Sequence, residues 1–511
     1  MNNKRVRVRF APSPTGALHL GGVRTALFNY LFARRHGGDF LLRVEDTDQG
    51  RFVPGAEEYI IEALKWCGLT IDEGVSVGGP HAPYRQSERS EIYRQFTTRL
   101  VAEGRAYLAF DPPGELNERR AEAEARGDAF IYGAKNRDSL RNSLALPAEE
   151  VERLLQAGEK PVIRFKMPAD EEIILQDIIR GEVRFNTSLL DDKVLFKADG
   201  MPTYHLANVV DDHLMEISHV IRGEEWLPSF PLHALLYRAL GWEKNMPLFA
   251  HLPLILKPVG NGKLSKRDGN KMGFPVFPME FTDPVTGEKW RGYKEDGYFP
   301  EAFVNMLALL GWNPGTEQEL FSLQELSEAF SLERVNRSGA RFSPEKARWF
   351  NHKYLQEKPD EVLAAGLARL LEAEGTRREE QELVKICRLL KERANFVQDI
   401  HAAARFFFHP PRVYDEKGTR KNWKEETPAL LGELARLLEE IEPFIPSNTE
   451  PAVREWVTGK GVGLGQIMNA FRLAITGFAD GPRLFDVIEI LGKEETTRRL
   501  AVAIERLSSN T

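Results

Sequence analysis

Apolar and polar positions alternate with period two over Arg5–Phe10, R-V-R-V-R-F, which predicts a short strand. Pro12, Pro14 and Gly16 then break regular structure. After Gly22 the run V-R-T-A-L-F-N-Y-L-F-A-R-R carries apolar residues at helical spacing, with Gly37-Gly38 as its stop. The opening is therefore a strand, a tight loop and a helix. F-L-L-R-V, from Phe40, is a second apolar strand, and Ala56–Cys67 and Ser90–Gly104 read as amphipathic helices. Such alternation is what a parallel sheet with crossover helices requires.

From about Ala106 to Gly200 the pattern changes. Leu116–Arg126 and Ala148–Ala157 are charged helices, followed by short strand-like pieces: V-I-R-F-K-M, I-I-L-Q-D, G-E-V-R-F-N and V-L-F-K. They predict an α+β insertion with antiparallel pairs. The first pattern resumes near Met201, with H-V-I-R-G-E-E-W as a strand ending in a charged loop, a helix over Phe230–Leu240, and H-L-P-L-I-L-K as the last strand. Glu301–Leu310, Gln318–Phe330 and Ser343–Phe350 are helical. Beyond about Gln356 nearly everything is, with leucines three and four apart in Val362–Ala373, Arg377–Asn395, Thr427–Glu440 and Arg483–Leu491.

The expected fold class is α/β: a Rossmann-type parallel-sheet domain split by an α+β insertion, then a mostly helical region, then an all-α bundle. The boundaries fall at 1–105, 106–200, 201–258, 259–355 and 356–511. A chain of 511 residues is too long for one core, which agrees with several domains.

Composition narrows the class. The chain is 42% hydrophobic and 28% charged, ordinary for a soluble globular protein. It shows no basic region followed by an apolar leader, and no apolar run that would span a bilayer, so a cytoplasmic protein is expected. Cys67 and Cys387 stand far apart, which excludes a disulfide framework and a cysteine-based zinc site. The formal net charge of −7 speaks weakly against nucleic acid, but Arg34-Arg35, Arg119-Arg120, Lys263–Arg267 and Arg377-Arg378 are local basic clusters.

The chemistry concentrates at the strand–loop–helix joint, P-S-P-T-G-A-L-H-L-G-G. A helix start above a strand aims free N–H groups at an anion, usually phosphate. His19 adds a side-chain donor, and Gly21 and Gly22 let a ligand approach the backbone. Alone, the joint is one that any α/β protein has. Lys263-Leu264-Ser265-Lys266-Arg267, between glycine-rich turns, puts compact positive charge on a loop; alone it is a solvated basic turn.

Together the two stretches resemble the signature motifs of class I aminoacyl-tRNA synthetases. R-V-E-D-T-D at Arg43–Asp48, Y-R-Q-S-E-R at Tyr84–Arg89, P-T-Y-H-L-A-N-V-V-D-D-H at Pro202–His213 and R-G-E-E-W at Arg222–Trp226, in that order, make the match specific to the glutamyl-tRNA synthetase family. K-G-V-G-L-G-Q at Lys460–Gln466 extends it into the helical third.

The resemblance implies ATP-dependent glutamylation of the tRNA(Glu) 3′ end through a glutamyl-adenylate, with no side-chain nucleophile. The enzyme holds reactants in line and stabilises phosphate charge. His19, with Gly21 and Gly22, would bind the ATP phosphates; Lys266, and more weakly Lys263, would stabilise the reacting phosphate and leaving pyrophosphate. Glu225 and Trp226 would contact ribose and adenine, and the strand at Leu254-Ile255 would offer backbone groups to adenine. ATP would come with Mg2+, without a visible protein cage for it, and no structural zinc is expected.

For glutamate, Arg9 matches the side-chain carboxylate, and its neighbours Arg5 and Arg7 are expected to be solvated. Ala11 and Ser13 follow on the loop. Glu45 and Ser13 would take the α-amino group, and Tyr204, Asn208 and Arg222 the α-carboxylate side. Asp46 and Asp48 are alternatives to Glu45 or simple caps, and Arg51 is a further substrate or phosphate candidate. Arg393 is the candidate RNA-binding residue of the bundle; a solvent-facing arginine is the plain reading.

The partners implied are tRNA(Glu), L-glutamate and ATP, with no membrane and no DNA, and a monomer. A relaxed enzyme that also glutamylates tRNA(Gln), and a catalytically silent tRNA-binding relative, are the alternatives. The intact His19, Lys266, Arg9 and Glu45 count against the second. Gly273–Gly297, aromatic and proline-rich, is longer than the family has after its lysine motif and reads as a self-packing surface insertion.

Overall fold

The computed structural model describes residues 5–508, the side chains of Lys266 and Asn270 excepted. The chain divides into two compact units between Ala347 and Arg348.

In the first unit β1 (Arg7–Phe10) runs into α1 (Leu20–Arg35), followed by β2 (Asp39–Leu42), α2 (Ala56–Trp66), β3 (Glu73–Gly74) and α3 (Ser90–Ala102). β1, β2 and β3 form one parallel sheet, with Phe10 opposite Leu42. The strand begins at Arg7 rather than Arg5. Arg7 is not solvated as expected: its guanidinium bonds Asp39 at 2.9 Å and Glu73 at 2.7 Å and is buried. Arg5 does stay exposed, pairing with Asp39 from outside. The two residues share one face of the strand, but only Arg7 lies under the neighbouring elements.

β4 (Ala106–Ala109) starts the insertion, with α4 (Pro113–Ala125) and α5 (Ala148–Gln156) before β5 (Val162–Phe165), β6 (Glu172–Asp177), β7 (Gly181–Asn186) and β8 (Val194–Phe196). β4, β5 and β8 form an antiparallel sheet. β6 and β7 depart from the expected boundary: they join the sheet of the second catalytic half. There α6 (Tyr204–Leu214), β9 (His219–Gly223), α7 (Phe230–Ala239) and β10 (Leu248–Leu252) give the order β7-β6-β10-β9, with β6, β10 and β9 parallel. Ile173 and Leu175 of β6 point into the core shared with Leu206, Val209, Leu235 and Phe249, and this burial recruits the strand. Ser218 N donates to Arg7 O at 2.9 Å, so the β9 edge adjoins β1.

β11 (Ile255–Leu256) leads into α8 (Lys266–Met272), capped reciprocally by Ser265 and Asp268. The 273–297 segment folds as a hairpin of β12 (Phe281–Thr282) and β13 (Lys289–Trp290). α9 (Pro300–Ala308), α10 (Leu323–Ala329) and β14 (Ala340–Arg341), paired parallel with β11, complete the unit.

α11 (Pro344–Glu357) contains the division. The second unit is helical throughout: α12 (Asp360–Ala373), α13 (Glu380–Leu390), α14 (Val397–Phe408), α15 (Glu416–Asn422), α16 (Thr427–Glu440), α17 (Pro446–Lys460), α18 (Leu464–Thr476), α19 (Leu484–Leu491) and α20 (Lys493–Ser508). Leu363, Leu367 and Leu371 of α12 and Leu383, Ile386 and Leu390 of α13 are buried at three- and four-residue spacing, and the two helices pack together.

Candidate functional site

Two cavities open beside the carboxyl ends of β1 and β9 and share Gly21, Gly22, Thr25, Gly223 and Glu225. In open parallel sheets this is where ligands sit.

The first, about 430 Å³, lies at the start of α1. His19 is the N-cap, and its Nδ1 accepts from Gly21 N at 3.2 Å. An accepting Nδ1 places the ring proton on Nε2, as a phosphate donor requires. A Cβ at Gly22 would come within 2.5 Å of the Leu18 Cδ1, so the end of that side chain would have to shift to admit one. Opposite, Lys263 Nζ bonds Glu225 Oε1 at 2.8 Å, and Lys263 and burial together act on Glu225; burial raises its pKa, but Lys263 outweighs this and holds it below the ordinary range. Lys266 opens α8, and its side chain lies outside the described residues. Leu254 and Ile255 line this cavity; Leu254 N donates to Glu224, Leu254 O accepts from Ala340 N, and Ile255 O from Leu264 N, each carbonyl keeping a second lone pair. Of the backbone groups expected to meet a base here, the Leu254 N–H already has a partner. Arg24, which the sequence reading passed over, is buried in the wall, bonds the carbonyls of Leu310 and Pro253, and is pushed down to about 10 by burial.

The second cavity, about 400 Å³, is lined by Arg9, Ala11, Ser13, Glu45, Arg51, Tyr204, Asn208, Arg222 and Trp226 among others. Arg9 Nε and Nη2 donate to the two oxygens of Asp212 at 2.9 and 3.1 Å. Arg43, fully buried, donates to the same Asp212 at 2.8 Å and to Glu45 Oε1 at 3.0 Å, and Asn208 Nδ2 reaches that Glu45 oxygen at 2.9 Å. Burial raises Glu45 above its ordinary pKa despite Arg43 and Arg9. Burial also acts to raise Asp212, but Arg9 and Arg43 outweigh it and hold that carboxyl low. Neighbouring Asp211 faces away, taking Arg89 at 2.8 Å and Tyr93 at 2.7 Å.

Arg222, at the end of β9, donates to Tyr204 OH and His251 Nε2, both at 3.0 Å, and to Trp226 O at 3.2 Å. Its pKa is lowered by burial. Trp226 stands beside the Tyr204 ring, 4.4 Å between centroids, on the wall of this second cavity and next to Glu225, which lines both. Asp46 accepts from Ser87 N at 2.8 Å, in the distant turn Gln86–Arg89 rather than in the element that follows it, and Asp48 pairs with Arg51 at the exposed rim.

Three buried guanidiniums, of Arg9, Arg43 and Arg222, surround the cavity with two buried carboxylates, of Glu45 and Asp212, while Arg89 pairs with Asp211 and the buried Asp177 lies behind His251. Arg9 and Arg222 both line the cavity, which gives each carboxylate of a dicarboxylate ligand a cation to meet. The reading missed Arg43, Asp211 and Asp212, although the motifs contain them. The available signal was charge beside apolar residues in two stretches, one arginine in F-L-L-R-V and two aspartates ending A-N-V-V-D-D.

The 273–297 segment is not a detached surface loop. Leu20 N, at the first turn of α1, donates to Val276 O at 3.0 Å. The His19 ring meets Phe277 edge-on at 6.2 Å, and Phe277 stacks on Trp290 at 5.4 Å. Tyr59 of α2 holds Met279 through both backbone groups. Gly269 of α8 lies so close to Phe274 O and the Val276 side chain that a Cβ would come within 2.7 Å of both.

A further cavity, about 380 Å³, is walled by Tyr132, Arg164, Lys193 and His205 and shares Tyr204 with the second one. In the helical unit a cavity of about 1040 Å³ is lined by Arg393, Arg405, Phe406, His409, Arg412 and Phe478 with other residues of that unit. Basic and aromatic side chains of this kind suit unstacked bases. Among the described residues no cluster of three His, Cys, Asp or Glu is placed to hold a metal ion, and no helix is long and apolar enough to cross a membrane.

Comparison with known proteins agrees with this geometry. Residues 5–349 match the family described as class I tRNA synthetases (E and Q), catalytic domain, and residues 354–504 an anticodon-binding domain. The chain is 56% identical over 508 residues to a glutamate–tRNA ligase of Phocaeicola vulgatus, covering 99% of this chain and 100% of that one. It is 58% identical over 505 residues to that of Flavobacterium johnsoniae, again covering 99% and 100%. A crystal structure of a glutamate tRNA ligase from Elizabethkingia meningosepticum in complex with its amino acid superimposes with a TM-score of 0.96 at 54% identity, covering 99% of this chain and 100% of that one.

Proposed function

The chain belongs to the class I tRNA synthetases, among the glutamate–tRNA ligases, and we propose on that premise how its two joined cavities divide the reaction. The enzyme ligates L-glutamate to tRNA with consumption of ATP. In this reading the second cavity holds glutamate and the first holds ATP, so the α-carboxylate and the α-phosphate meet where the cavities join, at Gly21-Gly22 and Gly223.

The observation that carries this is that two buried arginines, Arg9 and Arg222, line the second cavity. Glutamate carries two carboxylates and one ammonium, hence one net negative charge, and glutamine carries none. Arg9 would take the side-chain carboxylate, with Asp212 fixing the guanidinium through Nε and Nη2. Glu45 and Ser13 would take the ammonium, and Tyr204, Asn208 and Arg222 the α-carboxylate side. His19 Nε2–H and the α1 backbone would hold phosphate, with Lys266 and Lys263 on the leaving pyrophosphate and Mg2+ arriving with ATP. The arginine-rich cavity beside Tyr204 would hold the RNA 3′ end, and that of the helical unit, with Arg393, the anticodon. The reading implies tRNA(Glu) as substrate and a cytoplasmic monomer.

ATP–pyrophosphate exchange tests it, with glutamate or glutamine and with or without tRNA(Glu). Exchange with glutamate alone among the two amino acids is expected. Equal exchange with glutamine would sink the charge argument, and no exchange in any mixture, with tRNA still bound, would favour a silent RNA-binding protein. Charging of purified tRNA(Gln) separates a relaxed enzyme from a strict one.

A further inference from the structure

We propose that Asp177 and His251 are positioning residues that fix the Arg222 guanidinium for a carboxylate of glutamate; this rests on the place given to Arg222 in the glutamate cavity above. Arg222 is 4% exposed, and among the described residues no carboxylate forms an ion pair with it. Its in-plane contacts are neutral acceptors: His251 Nε2, Tyr204 OH, Trp226 O, and His233 Nδ1 at 3.3 Å. The Phe249 ring lies 5.3 Å from its centre.

A guanidinium has donors only, so His251 must present a bare Nε2 and carry its proton on Nδ1. Nδ1 lies 2.6 Å from Asp177 Oδ2, which accepts that proton's hydrogen bond. Asp177 is held in turn: Ile179 N and Arg180 N donate to Oδ1 at 3.0 and 2.8 Å, and His251 N donates to Oδ2 at 3.1 Å. Asp177 and His251 are both buried, on β6 and β10.

The arrangement has a chemical logic. A carboxylate touching Arg222 would orient it but would also compete with the substrate carboxylate. Placed one imidazole away, the carboxylate selects the tautomer and fixes the ring while the guanidinium charge stays available, as outer partners do for metal-ligating histidines. β6 comes from the end of the insertion, so this contact ties the insertion's return strand to the glutamate cavity.

Aminoacylation kinetics of the full-length protein test the proposal, with glutamate, ATP and tRNA(Glu) each varied, in Asp177→Asn, His251→Gln, His251→Ala and Arg222→Lys. Oδ1 takes two backbone N–H groups, so the side-chain amide of the Asp177→Asn variant would turn its NH2 toward Nδ1 and drive the imidazole proton to Nε2, against Arg222. Asp177→Asn is expected to raise KM for glutamate by about 10- to 100-fold while KM for ATP and tRNA stays within about twofold. Imidazole-nitrogen NMR of histidine-labelled protein should show the His251 proton moving from Nδ1 to Nε2. His251→Gln, whose amide oxygen can accept from Arg222, should keep more glutamate affinity than His251→Ala.

An unchanged glutamate KM in Asp177→Asn, or an equal rise for all three substrates, would overturn the proposal. If Arg222→Lys leaves glutamate KM unchanged, the placing of Arg222 in the glutamate cavity itself fails. If Arg222→Lys raises it and Asp177→Asn does not, only the positioning role falls. Should Asp177→Asn fail to fold, the contrast between His251→Gln and His251→Ala decides.

Discussion

Arg9 and Asp212, 203 positions apart, face each other through two hydrogen bonds of 2.9 and 3.1 Å, with side chains 4% and 2% exposed. The same carboxylate also serves Arg43, so one acid holds two buried cations. Asp212→Ala would leave both guanidiniums facing each other out of water. It is expected to lower unfolding free energy by about 3–5 kcal/mol, measured by denaturant titration. A loss under about 1 kcal/mol would mean that water or a rearranged Glu45 compensates.

Arg9→Ala is expected to act on catalysis instead. Asp212 keeps Arg43, so the fold survives, while the glutamate side chain loses its charged partner. KM for glutamate should rise by about two orders of magnitude with ATP binding intact. Wild-type glutamate kinetics in this variant would remove Arg9 from the site.

Glu73 offers a pH test. Burial acts to raise its pKa, but Arg7, His81 and Tyr84 bond it and bring it from 4.5 down to about 2. A depressed carboxylate pKa contributes stability that is present above the unfolded value and lost as pH falls through the folded one. Glu73→Gln should therefore cost at most about 3 kcal/mol at neutral pH, with the difference from wild type closing between pH 4.5 and about 2. A pH-independent difference in urea titrations would contradict this.

Phe277→Ala, in the segment after the lysine motif, should loosen the His19 ring without touching the glutamate cavity. The expected outcome is a fall of about tenfold in the pyrophosphate-exchange rate with glutamate KM unchanged. An unaltered rate would mean that the edge contact with His19 is packing alone.

In the helical unit, Arg393→Ala should raise KM for tRNA by about tenfold and reduce the salt dependence of RNA binding, leaving ATP and glutamate KM alone. Filter binding at two ionic strengths checks it; an unchanged salt slope would return Arg393 to the solvent-facing reading.

Arg9, Ser13, Glu45, Tyr204, Asn208 and Arg222 were legible because each lies in an ordered motif, and they line one cavity. Arg7, Arg43 and Asp212 were misjudged or missed for one physical reason. A strand or helix pattern tells which residues share a face, but whether a charge on that face is buried depends on partners far off in the chain, as Arg7 depends on Glu73 and Asp212 on Arg9 and Arg43. The same limit hid β6. I-I-L-Q-D reads as a strand in any context, and only its shared core with β10 assigns it to the catalytic sheet. At Leu254-Ile255 the sequence located the cavity wall but not the partners of its backbone, which are Glu224, Ala340 and Leu264.

The lysine motif is moored at both sides, by Leu264 N on Ile255 O and by Val276 O on Leu20 N. Between the moorings, α8 coils 7 residues. Helix advances about 1.5 Å per residue and extended chain about 3.3 Å, so unwinding that short helix would release roughly 12 Å of slack without slipping either mooring. That slack lies beyond both lysines, so it frees the far end of α8, while the reach of Lys263 and Lys266 toward a phosphate is set by the nearer mooring, Leu264 on Ile255.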